Sequence, residues 1–176
     1  MNSARRHFLK NSGGAALAGL GVLAGARLAH AADTTDTVEI AMMGTPGGAR
    51  VWFHPIGVLI QPGQALRWTN HDPGNSHTVT SYHPSLYDRP RRIPDGAAPF
   101  DSGFLLPGES FSAQFTVPGV YDYYCLPHEH AGMVGRIIVA RAQPRGWPAQ
   151  AQDGLPAEAL KAFPAIDRIM RLGTVD

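Results

Sequence analysis

The chain has 176 residues, which suits one domain with a sizeable core and is short for two. With 44% hydrophobic and 16% charged residues it has a globular composition, and its 20 glycines and 15 prolines favour short strands joined by turns. A formal net charge of +1 without a clustered basic segment argues against nucleic-acid binding.

The first 31 residues are predicted to be an export signal. Arg5 and Arg6 precede Phe-Leu-Lys, a weakly apolar Gly/Ala-rich stretch follows, and Ala29-His30-Ala31 has the small-x-small pattern of a cleavage site. This arrangement resembles a bacterial twin-arginine signal and implies a periplasmic protein. The alternative is an uncleaved anchor, but the apolar stretch is shorter than the ~20 residues that a membrane span needs. After cleavage we therefore expect no stable membrane insertion, and a formal charge of −3 from 11 basic and 14 acidic residues.

Residues 37–140 are predicted to form about eight short β-strands with almost no helical periodicity. The apolar or alternating segments, separated by Gly/Pro turns, are 37–43, 51–53, 56–60, 65–70, 77–81, 103–106, 110–117, 120–125 and 134–140. Such a series is typical of a β-sandwich or small barrel. Residues 82–100 interrupt it with four prolines and are predicted to be a long loop or an insertion.

That loop carries Arg89, Arg91 and Arg92. Two interpretations stay open for this cluster: a docking site for an acidic partner, or an ordinary solvated loop.

The composition changes after residue 140. Residues 143–148 have the Pro- and Gly-rich composition of a linker, and residues 155–172 place apolar side chains at near-helical spacing. Pro156 is tolerated in a first helical turn, whereas Pro164 should break the run. We therefore expect a signal peptide over 1–31, a β-domain over 36–140, and a 141–176 extension of linker and two short helices that pack on the barrel.

Cys125 is the only cysteine in the chain. Exported proteins usually pair their cysteines in disulfides, and a lone thiol in an oxidising compartment is open to oxidation unless something occupies it. Metal ligation would occupy it. The alternative for this residue alone is an inert buried thiol.

Cys125, His128 and Met133 form a Cys-x2-His-x4-Met motif between two predicted strands. One tight loop can therefore direct all three side chains to a common point. Soft sulfur with imidazole selects copper, and two histidines, a cysteine and a weak axial methionine make a blue-copper site. The second histidine must come from elsewhere, and His77, which follows a polar loop 48 residues upstream, is the best candidate.

Residues 37–140 resemble the plastocyanin/pseudoazurin group of cupredoxins. The matching stretches are 53–55, 58–63, 68–70, 76–79 and above all 121–139. The resemblance implies an all-β Greek-key sandwich, one type 1 copper held by His77, Cys125, His128 and Met133, and a mobile carrier of single electrons. Pseudoazurins also carry a C-terminal helical extension of similar length.

The chain departs from this group at two places. Thr78 stands where many members have an asparagine that helps clamp the loop with the cysteine, which leaves the reduction potential open. A threonine hydroxyl can bond similarly. The 82–100 segment is longer than expected, so docking surfaces do not carry over from the group. We expect His130 to be a solvent-facing neighbour, because a Cys-x4-His pair would put Met133 too close.

These features raise three candidate functions. The first is a monomeric periplasmic one-electron carrier that cycles between Cu(II) and Cu(I) with redox partners such as a reductase, a dehydrogenase or a cytochrome. The second is a copper-binding carrier or storage protein without electron transfer, against which a buried thiolate–imidazole site argues. An enzyme is not expected. Nitrite reductases and multicopper oxidases need more copper centres and a longer chain, and a histidine-brace monooxygenase needs a histidine where cleavage leaves Ala32.

Overall fold

The computed structural model describes residues 36–141 and 154–176. The predicted signal (1–31) and linker (143–148) lie outside these residues. The described part contains nine β-strands, one 3₁₀ helix over Leu126–Ala131 and two short α-helices. The strands are β1 Val38–Gly44, β2 Val51–His54, β3 Gly57–Ile60, β4 Ala65–Asn70, β5 Thr80–Ser81, β6 Ser110–Gln114, β7 Gly119–Tyr124, β8 Val134–Val139 and β9 Thr174–Val175.

The strands form two sheets, one in the order β2-β1-β4-β6 and the other in the order β5-β7-β8-β3-β9. The pairs β1–β4 and β3–β8 are parallel, and the remaining pairs are antiparallel. Neighbours within a sheet are therefore often distant in sequence, as expected when a chain crosses repeatedly between two layers. The predicted all-β sandwich is confirmed.

An aromatic core fills the space between the sheets. Trp68 of β4 is fully buried, and its ring lies 5.4 to 6.3 Å from four other aromatic rings. Along β4 every second residue is buried, as expected for a strand with one face on the core. In contrast, every residue of β7 and β8 is buried, so these two strands are covered on both faces.

The C-terminal helices cover the face of β7 and β8 that points away from the core between the sheets. Helices α1 (Ala157–Ala162) and α2 (Ile166–Leu172) are separated at Pro164, as the sequence predicts. Ala159 of α1 packs in a cluster with Tyr124 of β7, and Ile169 of α2 packs in another with Ile138 of β8. In the described segments no helix is long and apolar enough to cross a membrane.

Two strand predictions need correction, and one strand was not predicted. The segment 77–81 is a strand only at Thr80–Ser81, and 103–106 forms no strand but a single bridge from Leu105 to His77. Conversely, β9 was not predicted. It pairs with the edge of β3 over two residues, which is too short for any periodicity in the sequence.

The long loop is confirmed, since residues 82–100 contain no helix or strand. For Arg89 and Arg92 both interpretations of the arginine cluster are wrong, because only Arg91 is substantially exposed. Arg92 is 3% exposed and donates to the buried carboxylate of Asp122 in β7, at 2.6 and 3.0 Å. Arg89 forms an ion pair with the buried Glu129. Arg89 and Arg92 therefore anchor the loop internally.

Candidate metal centre

Three possible ligand atoms converge at one end of the sandwich. His77 Nδ1 and His128 Nδ1 are 3.1 Å apart, and Cys125 Sγ lies 3.6 Å and 3.3 Å from them, respectively. His77 and Cys125 are fully buried, while His128 is half-buried. Among the described residues this is the one group of three such side chains close enough to hold a metal ion.

The 3₁₀ helix brings two of these side chains to the same point. Cys125 follows β7 directly and is the residue before the helix, and its carbonyl accepts a hydrogen bond from His128 N at 3.0 Å. Pro127 lies in the first turn of the helix, where its fixed φ suits helical geometry. Gly132 ends it in the left-handed region, with φ of 80°, so that the chain can turn back into β8.

Met133, the fourth predicted ligand, is fully buried beside this turn. Its N–H donates to the His128 carbonyl at 3.1 Å, and its carbonyl accepts from Cys125 N at 3.0 Å. These two hydrogen bonds hold the main chain of Met133 next to Cys125 and His128.

Thr78 connects this loop to the strand that follows His77. Its N–H donates to Cys125 Sγ at 3.3 Å, and its hydroxyl oxygen accepts from Leu126 N at 2.8 Å. The hydroxyl is also 2.9 Å from that of Thr80. The structure thus bears out the expectation that a threonine hydroxyl can clamp the cysteine loop in place of an asparagine.

Sequence reasoning missed one residue of the site. Asp72 Oδ2 lies 3.1 Å from His77 Nε2, and both side chains are buried. The sequence places Asp72 in a polar turn, where an aspartate usually bonds only its own backbone. The one signal in the sequence was that Asp72 lies five residues before the candidate ligand His77. Whether the two side chains meet depends on how the turn between them folds, which the sequence does not show.

Burial sets the protonation of these candidate ligand atoms. It lowers the pKa of His77, against the opposing effect of Asp72, and it lowers the pKa of His128, with the nearby His77 adding to the effect. Burial raises the pKa of Cys125 to about 11, although the N–H of Thr78 opposes this. At neutral pH the metal-free site therefore holds two neutral imidazoles and a thiol, and a metal must displace the thiol proton.

Asp72 behaves differently. Burial raises its pKa, but hydrogen bonds from Asn75, Gly74 and His77 outweigh burial and hold the pKa below its usual value. At neutral pH it is therefore a carboxylate.

This donor set fits copper. A thiolate and two neutral imidazoles, with a buried thioether nearby, are the soft and borderline donors that copper prefers, whereas magnesium and calcium take oxygen ligands. His130 lies on the same 3₁₀ helix but is exposed and outside the group, as expected. The half-buried His128 leaves one edge of the site close to solvent.

Comparisons with known proteins agree with this geometry. The model of the family described as "Copper binding proteins, plastocyanin/azurin family" matches residues 39–140. Plastocyanin from Scenedesmus fuscus is 38% identical over 101 residues, which cover 55% of this chain and 94% of that protein. Chloroplastic plastocyanin from Tetradesmus obliquus is 37% identical over 97 residues, and the matched part spans only 63% of its length.

Among solved structures, a pseudoazurin from Sinorhizobium meliloti is similar with a TM-score of 0.54 and 23% identity. The similarity covers 72% of this chain and 89% of that one. At this identity the similarity concerns the fold alone. The structural match covers more of the chain than the family model, which matches residues 39–140.

Proposed function

The chain belongs to the plastocyanin/azurin family of copper-binding proteins, and we propose that it is a periplasmic one-electron carrier. Its cofactor is one type 1 copper, which accepts and releases a single electron between Cu(II) and Cu(I). We propose His77, Cys125, His128 and Met133 as the ligands. The observation that carries the proposal is the convergence of one sulfur and two imidazole nitrogens at 3.1 to 3.6 Å in a buried site.

Electron transfer is fast when the ligands move little between the two oxidation states, and several contacts restrain them here. The Thr78 hydroxyl holds Leu126, and main-chain hydrogen bonds join Met133 to His128 and Cys125. A hydrogen-bonded loop that buries Cys125 and Met133 keeps water from these side chains and holds them in one arrangement.

Exposed apolar side chains near the site support a role with protein partners. Phe104 and Leu106 are 59% and 58% exposed, and they flank Leu105, whose backbone pairs with that of His77. Pro127 and Ala131 are exposed at the two ends of the 3₁₀ helix. A brief contact with a reductase, a dehydrogenase or a cytochrome at this apolar surface would bring the partner close to His128, and a monomer suffices for it.

The twin-arginine pattern at Arg5 and Arg6 supports export to the periplasm. In this proposal residues 1–31 are removed, residues 36–140 form the copper domain, and residues 141–176 form an extension whose helices cover the outer face of β7 and β8.

Copper loading tests the proposal. The protein from Ala32 onward with one equivalent of Cu(II) should show an intense blue band and a narrow copper hyperfine splitting in EPR. Cys125→Ser and His128→Asn should abolish both, whereas the matched control His130→Asn, on the same helix, should keep them. Met133→Leu should keep the band and change the reduction potential, because the axial ligand tunes it.

Voltammetry then distinguishes electron transfer from copper storage. A carrier gives a reversible one-electron wave and retains its copper against a chelator. A pale spectrum, or copper that the chelator removes quickly without a reversible wave, would favour the copper-binding carrier or storage protein instead.

A further inference from the structure

The Asp72 carboxylate bonds the ring nitrogen of His77 that does not face the other ligand atoms. Asp72 Oδ2 is 3.1 Å from His77 Nε2, while Nδ1 of the same ring faces Cys125 Sγ and His128 Nδ1. We propose that Asp72 is a positioning residue that fixes the His77 ring for copper and lowers the reduction potential through its buried negative charge. This inference rests on the proposed function.

Contacts on several sides hold the carboxylate in place. Asp72 is 2% exposed, Oδ1 accepts from Gly74 N at 2.9 Å, and Oδ2 accepts from Asn75 Nδ2 at 2.8 Å. Its own N–H donates to Asn70 Oδ1 at 2.9 Å. Gly44, at the end of β1, makes room for it, because a Cβ there would overlap the carboxylate. The fold thus builds a specific pocket for this side chain.

The hydrogen bond determines which nitrogen of His77 carries the proton. A carboxylate only accepts hydrogen bonds, so the proton of the neutral ring lies on Nε2 and the lone pair lies on Nδ1. That lone pair points toward Cys125 Sγ and His128 Nδ1. A metal-ligating histidine with its other N–H on a carboxylate is held in orientation and is a more basic ligand.

The charge of Asp72 favours the oxidised metal. The groups that contact its oxygens are two neutral N–H donors and His77, with no lysine or arginine among these described contacts. The thiolate of Cys125 and the carboxylate together balance the two charges of Cu(II), but they exceed the single charge of Cu(I) by one. Because uncompensated charge is costly in a buried site, the carboxylate stabilises Cu(II) relative to Cu(I).

The test compares Asp72→Asn with Asp95→Asn in the copper-loaded protein. Asp95 is 98% exposed at its side chain, so its substitution removes the same charge without touching the site. The Asp72 variant should shift the Cu(II)/Cu(I) equilibrium toward Cu(I) by at least tenfold, about 59 mV for one electron, and the control by less than twofold. Equal potentials for the two variants would overturn the inference.

A second measurement needs neither copper nor a variant. In the metal-free, ¹⁵N-labelled protein, NMR should find the His77 proton on Nε2 and protected from exchange with solvent. A proton on Nδ1, or one that exchanges as fast as that of an exposed histidine, would overturn the inference. If Asp72→Asn does not fold, this NMR measurement by itself tests the inference. A copper-loaded parent protein without the blue band would refute the proposed function, whatever the proton measurement gives.

Discussion

The hydroxyl of Thr78 is expected to hold residues 125–133, the loop with three of the proposed ligands (here the ligand loop), and Thr78→Val tests this with little change in shape. Both side chains are β-branched, so the backbone preference is unchanged, and the N–H of residue 78 can still donate to Cys125 Sγ. The valine cannot accept the hydrogen bond from Leu126 N, which is 2.8 Å long in the native protein. A buried N–H without a partner costs about 1–3 kcal/mol. Because Leu126 is only partly buried, the expected loss lies in the lower half of that range.

Two assays separate an effect on the fold from an effect on the site. Denaturant unfolding of the metal-free protein measures the free energy of unfolding, and the rate at which a chelator removes copper measures how firmly the loop is held. The matched control is Thr80→Val, which removes another fully buried hydroxyl, bonded to Thr78 and to Asp101 at 2.9 Å, without touching the loop.

Thr78→Val should lose copper faster than both the parent and Thr80→Val. If it is destabilised as expected but releases copper at the same rate as Thr80→Val, the hydroxyl supports the domain in general and the clamp interpretation is refuted.

Three further substitutions test other parts of the structure. The pKa of Cys125 is raised from 9.0 to about 11, so the protonated thiol stabilises the metal-free fold fully below pH 9. This contribution to the free energy of unfolding, about 2–3 kcal/mol, is lost as pH rises through 11. In Cys125→Ser the free energy of unfolding should not show this decline at alkaline pH. Asp122→Asn removes the carboxylate that two buried arginines share and should lower the free energy of unfolding by about 3–5 kcal/mol. A loss under about 1 kcal/mol would show that the other contacts of the arginines suffice. Gly132→Ala should lower the free energy of unfolding by about 1–2 kcal/mol because of its positive φ, and further because the added Cβ would contact α1. Gly108→Ala is the control, since Gly108 has a similar φ but open space around it. Equal losses in the two variants would contradict this expectation.

The parts of the site that are local in sequence could be predicted, because their geometry follows from spacing. Cys125, His128 and Met133 fall within nine residues between two strands, so any tight turn brings them close. His77 was the best candidate for the second histidine because it follows a polar loop at the start of a predicted strand, and the resemblance to a known group added to that choice. The structure brings it to the cysteine and to His128, while its assignment as a ligand stays a prediction.

Contacts between distant polar residues could not be predicted. Arg92 was interpreted as a surface charge because its partner, Asp122, lies 30 residues away in a strand whose faces are both buried. An alternating pattern would have marked the inner face of β7, but the C-terminal helices bury the outer face as well. Asp72 was missed for a related reason, because a turn residue becomes part of a buried site only once β1 and His77 close around it.

The ligand loop also contacts the 82–100 loop and helix α1, and α1 lies beyond the family-matched segment, which ends at residue 140. The carboxylate of Glu129, next to His128, accepts from Tyr82 Oη at 2.8 Å and pairs with Arg89 of the long loop. A Cβ on Gly132 would lie 3.3 Å from the carbonyl oxygen of Glu158 in α1.

Arg136 joins the outer face of β7 and β8 to the C-terminal extension. It donates to Asp122 at 2.7 Å and to the carbonyl of Pro164, between the two helices, also at 2.7 Å. The ligand loop is therefore held from inside by Thr78, and from outside by the 82–100 loop and the C-terminal extension. Because those two segments lie against the loop that carries three of the four proposed ligands, the rigidity that electron transfer needs depends on them as well as on the sandwich.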